Sequence, residues 1–130
     1  MTASLPRPQR IVTAEFYRTA VDNEPVRVWL KSLSLADRHA IGIAVRKVEY
    51  GWPIGMPTCA ALGDGLWEIR INLDNRIARV LFCPVGPLVV LLHGFIKKSQ
   101  TAPKNELDTA RMRQADLLAR LRAAGAARRA

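Results

Sequence analysis

Five basic residues in the second half of the chain are the side chains best suited to chemistry. Arg70 and Arg79 lie in segments that alternate between apolar and polar residues, and His93 precedes Lys97 and Lys98 at the end of an apolar run. Arginine and lysine bind phosphate oxygens, and histidine can exchange a proton near neutral pH. Such a set could cleave RNA by in-line attack of the substrate's own 2′-hydroxyl, with cations stabilising the pentavalent phosphorane. Because the nucleophile belongs to the RNA, we expect no metal ion and no cofactor.

Each of these residues also has a plain structural interpretation. Arg70 could be a solvated arginine paired with Glu68 or Asp74. Arg79 shares its predicted strand face with apolar residues, where a charge is costly unless it is paired or lines a cleft, and it could instead reach solvent from the strand end. His93 could be a hydrogen-bonded structural residue, and the two lysines could be an ordinary charged pair at the end of a strand.

The sequence contains none of the more familiar catalytic patterns. It lacks a glycine-rich phosphate loop, a helix with paired histidines and a cysteine cluster, and its serine, cysteine and histidine residues are too sparse for a triad. Cys59 and Cys83 form neither a disulfide framework nor a zinc site, so we expect packing roles and a reducing, cytoplasmic compartment. No apolar run approaches the roughly 18 residues that span a bilayer, and no apolar stretch resembles a secretory signal.

The charge of the chain indicates a polyanionic partner. The formal net charge is +9, from 20 basic and 11 acidic residues. Residues 97–130 contain nine basic and three acidic residues, so +6 of the +9 lies in this segment. Nucleic acid is the simplest partner for such a chain, although many basic domains are merely soluble.

The predicted elements place the basic residues on strands of one small sheet. A first strand is expected over 10–16, and helices are expected to start at Pro25 and after a cap at Ser34, the second ending at Gly51. Residues 51–65 are predicted to form a loop. Alternation predicts strands over 66–72, 76–82 and 88–95 with turns at 74–75 and 84–87, and Pro103 opens a last helix. The order β-α-α-β-β-β-α predicts one α+β domain over 1–130 with a mostly antiparallel sheet, helices on one or both of its faces and loose termini at 1–9 and 123–130.

The alternation also predicts which way the strand residues face. Trp67, Ile69 and Ile71 fall on one side of their strand, which we expect to be buried, and Glu68 and Arg70 fall on the other, which we expect to look towards solvent.

Four ordered blocks of the sequence resemble the phage-derived HigB toxins. The blocks are Leu62 to Arg70 (LGDGLWEIR), Arg76 to Val80 (RIARV), Leu91 to Lys98 (LLHGFIKK), and Pro103 followed by Glu106 and Ala110. The resemblance covers roughly residues 10–120. It implies a fold like that of the RelE toxins, with a small twisted sheet, two N-terminal helices and a C-terminal helix, in agreement with the predicted order.

The resemblance also implies a function. Members of this family are toxins of type II toxin–antitoxin pairs, which typically cleave mRNA in the ribosomal A site. A helix-turn-helix antitoxin neutralises them, and operator DNA is bound only through the complex with that antitoxin. By motif position, Arg70, Arg79, Lys97 and Lys98 correspond to basic active-site positions, with the arginines at the scissile phosphate and the lysines binding substrate, and His93 is a candidate acid or base.

Two alternatives stay open at the level of sequence. The chain could be a basic nucleic-acid-binding protein without catalysis, or a degenerate toxin that acts only with its antitoxin in operon repression. Overall charge cannot separate these from an active ribonuclease.

Overall fold

The computed structural model describes residues 7–97 and 104–129 of the chain. Lys98 and the predicted helix start at Pro103 lie outside these described residues. In the described part, the elements follow in the order β1 (Thr13–Phe16), α1 (Pro25–Lys31), α2 (Leu35–Gly51), β2 (Cys59–Gly63), β3 (Leu66–Leu73), β4 (Arg76–Val85), β5 (Leu88–Lys97) and α3 (Lys104–Arg129). The predicted α+β class is confirmed.

The helices α1 and α2 begin where the sequence predicts. Pro25 lies in the first turn of α1, and the Ser34 hydroxyl caps α2 by accepting a hydrogen bond from the backbone N–H of Asp37 at 3.2 Å. The Asp37 carboxylate forms a bidentate pair with the Arg76 guanidinium, with both N–O distances at 2.9 Å. This hydrogen bonding lowers the pKa of Asp37 and ties the start of α2 to the start of β4.

The sheet has the strand order β1-β5-β4-β3-β2, in which only the β1–β5 pair is parallel in the described part of the chain. The predicted loop over 51–65 is partly wrong, because Cys59–Gly63 forms β2 and pairs with β3. Its short apolar run lacks clear alternation, and pairing with β3 supplies the order that local pattern does not. The predicted turn over 84–87 is also too long, because β4 continues to Val85 and Pro84 pairs with Val89.

Helices cover both faces of this sheet. One hydrophobic cluster joins the sheet to α1 and α2 and includes Ile69 and Ile71, so the predicted buried side of β3 is confirmed. A second cluster joins the opposite face to α3 and includes Leu81 and Leu92. The expectation that the side of Glu68 faces solvent is wrong, because Glu68 is only 6% exposed on the face that α3 partly covers.

Polar contacts fix α3 across the sheet. The Tyr17 hydroxyl donates to Asp116 Oδ2 at 2.6 Å, and the buried Gln114 amide donates to the Asp64 carbonyl at 2.7 Å. Arg111 donates to the carbonyls of Leu62 and Gly63 at the end of β2, each at 2.8 Å. These bonds anchor α3 to Tyr17 at the end of β1 and to the connection between β2 and β3.

A bulge in β5 decides which face its last residues occupy. Leu81 on β4 is opposite His93, whereas the next residue, Phe82, is opposite Leu91, so Leu92 is an extra residue in β5. Leu92 and His93 therefore both face α3, although they are consecutive. Beyond the bulge, His93, Phe95 and Lys97 share the α3-covered face with Arg79.

Candidate active site

Arg70 and Arg79 are directly opposite each other on β3 and β4. Both side chains lie on the α3-covered face of the sheet, at the end that lies beyond the second hydrophobic cluster. Like charges in directly opposite positions destabilise a strand pair. The Glu68 carboxylate resolves the repulsion, because its Oε1 accepts one bond from Arg70 Nε at 2.9 Å and another from Arg79 Nη1 at 2.6 Å.

The three charged groups differ in exposure. The side chains of Glu68 and Arg79 are 8% and 12% exposed, whereas that of Arg70 is 37% exposed. One carboxylate faces two guanidinium groups, so the cluster carries a formal charge of +1. Arg79 Nε is also buried without a hydrogen-bond partner among the described residues. The excess positive charge is accessible at the partly exposed Arg70 guanidinium, which makes the cluster suited to receive an anion.

The imidazole of His93 is held between two side chains of α3. Arg113 Nη1 lies 3.1 Å from His93 Nδ1 and also donates to the Leu92 carbonyl at 2.8 Å, while His93 Nε2 contacts Glu106 Oε2. A guanidinium can only donate, so Nδ1 accepts and the ring proton lies on Nε2, from which it is donated to Glu106. Burial lowers the pKa of Arg113, and the charge of Glu106 acts in the opposite direction.

Phe95 and Lys97 complete the row of side chains along β5. Phe95 is opposite Arg79, and its ring stacks on the His93 ring with centroids 5.8 Å apart and planes at 27°. Lys97 is half-buried, stands opposite Ile77, and has no ion-pair partner among the described residues. Four of the five basic residues singled out in the sequence, those within the described ranges, therefore lie on one face of the sheet. The fifth is Lys98.

Three residues of this site were not identified as functional from the sequence. Glu68 was considered only as a surface partner of Arg70, and Glu106 and Arg113 were not considered as partners of His93. A usable signal exists for the α3 pair, because a spacing of seven residues places Glu106 and Arg113 on the same helix face two turns apart. The signal for Glu68 is its position two residues before Arg70 in a strand, which puts both side chains on the same face.

The two cysteines of the chain do not contribute to the site. Cys59 and Cys83 are buried free thiols in the two separate hydrophobic clusters, as expected for packing residues, and burial raises the pKa of Cys59 to about 11. Over residues 7–97 and 104–129, no group of three or more His, Cys, Asp or Glu residues is arranged to hold a metal ion. None of the helices described here combines the length and the apolar character needed to cross a membrane.

Comparison with known proteins identifies the relatives of this chain. The family model of the phage-derived Gp49-like proteins matches residues 28–115, which is more than half of the chain. Two proteins named "Probable endoribonuclease HigB1", from Mycobacterium tuberculosis strains CDC 1551 / Oshkosh and ATCC 25618 / H37Rv, are each 29% identical to it over 110 residues. The alignment covers 84% of this chain and 87% of each relative. The resemblance to HigB toxins is thus confirmed, and the chain belongs to the family of phage-derived Gp49-like proteins.

Proposed function

We propose that this protein is the toxin of a type II toxin–antitoxin pair and an endoribonuclease that cleaves mRNA on the ribosome and so stops translation. The observation that carries the proposal is the pair of opposite arginines, Arg70 and Arg79, bridged by one buried carboxylate. Its excess positive charge supports binding of a phosphodiester. The family and the name of the mycobacterial relatives support an endoribonuclease rather than a passive binding protein.

The reaction proposed is a transesterification within the RNA. The 2′-hydroxyl oxygen attacks the adjacent phosphorus, the bond from phosphorus to the 5′-oxygen breaks, and the products are a 2′,3′-cyclic phosphate and a 5′-hydroxyl. Arg70 and Arg79 stabilise the charge that accumulates on the phosphorane oxygens. Lys97 protonates the departing 5′-oxygen, and the 2′-hydroxyl proton is taken up at the His93 end of the site.

The placement of residues along β5 supports in-line chemistry. His93 and Lys97 are four residues apart, a Cα separation of roughly 13 Å at about 3.3 Å per residue. Phe95, which lies halfway between them, is opposite Arg79. A phosphorus atom held by the arginines would thus have one proton-transfer group on each side, as attack and departure on opposite sides require.

The proposed partners follow from the family and from charge. A toxin requires an antitoxin, which we propose to be a helix-turn-helix protein that also carries the complex to its operator. A formal charge of +9 favours association with the polyanionic surface of the ribosome and with mRNA. We also propose that the protein works in the cytoplasm and that cleavage needs no metal ion.

The proposal is tested by expressing the chain with and without the product of an adjacent helix-turn-helix gene. Induction alone should arrest growth and create new mRNA 5′ ends with free hydroxyls inside coding regions, and coexpression should prevent both. In vitro, mRNA bound to translating ribosomes should yield fragments with 2′,3′-cyclic phosphate ends. Growth without new 5′ ends would favour the non-catalytic alternative, in which the protein acts only in operon repression.

A further inference from the structure

Among the described residues, the polar group that contacts His93 Nε2 is the Glu106 carboxylate. This contact lies at the end of the site opposite Lys97. The two nitrogen atoms of the His93 ring are both engaged by α3, Nδ1 by Arg113 and Nε2 by Glu106. For His93 itself to accept a proton, one of these contacts must break. The carboxylate has no such restriction, because Nε2 uses a single oxygen, Oε2, and a carboxylate offers about four lone-pair sites.

From this geometry we propose that Glu106 is the general base that takes the proton from the 2′-hydroxyl, and that His93 and Arg113 are positioning residues for its carboxylate. The inference rests on the proposed RNA cleavage. In the proposed step, a Glu106 oxygen gains the hydroxyl proton as the bond between O2′ and phosphorus forms. The 5′-oxygen leaves with a proton from Lys97, and water afterwards returns both groups to their starting states.

The exposure of the pair fits this division of roles. The Glu106 side chain is 24% exposed and that of His93 is 18% exposed, so the carboxylate is the more accessible of the two. The Phe95 ring stacks on the His93 ring, so the imidazole is packed on one side by an aromatic ring as well as held by α3. His93 donates to the carboxylate from a ring that Arg113 keeps in one tautomer, which fixes the direction of the Glu106 lone pairs.

A row of residues that runs across the strands from His93 ends at Glu68, in the arginine cluster. Glu68, Leu81 and His93 are opposite one another across β3, β4 and β5, so the Cα atoms of Glu68 and His93 are roughly 10 Å apart at about 4.8 Å per strand. The Arg79 guanidinium reaches back to Glu68 in this row. The Arg79 guanidinium is therefore directed towards the row of residues that ends at His93, the residue that contacts Glu106.

Several other ionisable groups lie on the same face of the sheet as the His93–Glu106 pair. Arg113 of α3 contacts His93, Tyr17 at the end of β1 acts electrostatically on Arg113, and Arg79 and Glu68 lie on the neighbouring strands β4 and β3. A pH–rate profile must therefore be compared between variants and not interpreted from the wild type alone. Asp108, an exposed acid in the same turn of α3, provides a matched control for the loss of one negative charge.

The experiment compares Glu106→Gln with Asp108→Asn on an RNA that the wild-type protein cleaves at a mapped position, presented on the ribosome. Glu106→Gln should reduce the cleavage rate by roughly 100- to 10,000-fold and remove the acid limb of the pH–rate profile, while Asp108→Asn should change neither. Glu106→Asp, which retains a carboxylate, should restore the acid limb and part of the rate. Circular dichroism and thermal unfolding verify that each variant is folded.

A second substrate separates a base from an acid. When sulfur replaces the bridging 5′-oxygen, the leaving thiolate needs no proton, so the defect of Lys97→Met should disappear and that of Glu106→Gln should persist. Rescue of Glu106→Gln by this substrate would overturn the assignment as base. Wild-type-like cleavage by Glu106→Gln would overturn this inference alone, whereas a wild-type protein that cleaves no RNA would overturn the proposed function together with it.

Discussion

The two faces of the sheet use alternate residues of the same strands, yet they differ in what they bury. On the face covered by α1 and α2, the central strands present fully buried apolar side chains such as Ile69, Val80 and Phe82. On the face covered by α3, the same strands place Glu68 and Arg79 within one or two residues of buried leucines. We infer that the first face contributes mainly to stability, whereas the second face carries the cost of burying charge at the proposed anion site.

Removal of the bridging carboxylate should have the largest effect on the charged face. Glu68→Ala leaves Arg79 as a buried, unpaired charge, which should lower the free energy of unfolding by about 3–5 kcal/mol. Urea unfolding followed by circular dichroism measures the change. Glu15→Ala, at an exposed acid on β1, is the control and should unfold like the wild type. Equal stability of the Glu68 and Glu15 variants would show that the arginines do not depend on the bridge.

Arginines of the β3–β4 hairpin allow the two faces to be compared directly. Arg70→Ala should reduce cleavage by about 100- to 1,000-fold, or about 2.7–4 kcal/mol of transition-state stabilisation, with little effect on stability because the side chain is 37% exposed. Arg76→Ala breaks the pair with Asp37 and should lower the melting temperature while leaving the cleavage rate of the folded protein unchanged. Growth arrest by a folded Arg70→Ala protein at wild-type strength would contradict the assignment of this residue.

Gly94 lies between His93 and Phe95 in β5 but faces the opposite side of the sheet, towards Trp29 of α1. A Cβ atom there would lie 2.3 Å from atoms of the Trp29 ring, so Gly94→Ala must displace α1 and should cost about 1–3 kcal/mol of stability. Gly42→Ala is the matched control, because no atom lies within 4 Å of its added Cβ and alanine favours a helix. Thermal unfolding of the two variants should give shifts of opposite sign. A cleavage defect in Gly94→Ala beyond that explained by unfolding would show that the faces are coupled.

The smallest effect expected is on the salt dependence of RNA binding. Lys97→Ala removes one phosphate contact and should flatten the log–log dependence of affinity on salt by about 0.7. Lys47→Ala, at an exposed position of α2 beneath the other face, should leave the slope unchanged. Titration of short single-stranded RNA over a salt series compares the two. A change of slope in the Lys47 variant alone would place the RNA path on the side of the molecule formed by α1 and α2.

The sequence predicts most elements because their signals are local. Pro25 and Ser34 identify the helix starts, and the alternation around Arg70 and Arg79 identifies the hairpin and the side of β3 that is buried. The strand β2 was missed because its order depends on pairing with β3, a contact that the local pattern does not show. The expectation of a solvent-facing side failed at Glu68 for a similar reason, because α3 returns to cover that side from the other end of the chain.

The candidate site was predictable as a set of residue types and not as a set of contacts. The basic residues on the strands indicated a phosphate site, but the hydrogen bonds of His93 to Glu106 and Arg113 join segments 13 and 20 residues away. Such contacts depend on where α3 lies above the sheet, and this is set by bonds such as that from Tyr17 to Asp116. The sequence could therefore offer His93 as either an acid or base or a structural residue, and could not decide between them.

Because Leu92 is an extra residue in β5, odd-numbered residues point to one face of the sheet before the bulge and to the other face after it. Before it, odd-numbered residues such as Val89 and Leu91 face α1 and α2, and after it, odd-numbered residues such as His93 and Phe95 face α3. Loss of one residue at the bulge would give a regular strand that still presents the same faces, whereas loss of one residue further along would invert every position beyond it. Leu92 is itself fully buried in the second hydrophobic cluster, so its loss would remove core packing, but it would not invert the faces of the residues that follow. We therefore expect an alignment of related chains to place any single-residue gap in this strand at the bulge and not among the site residues.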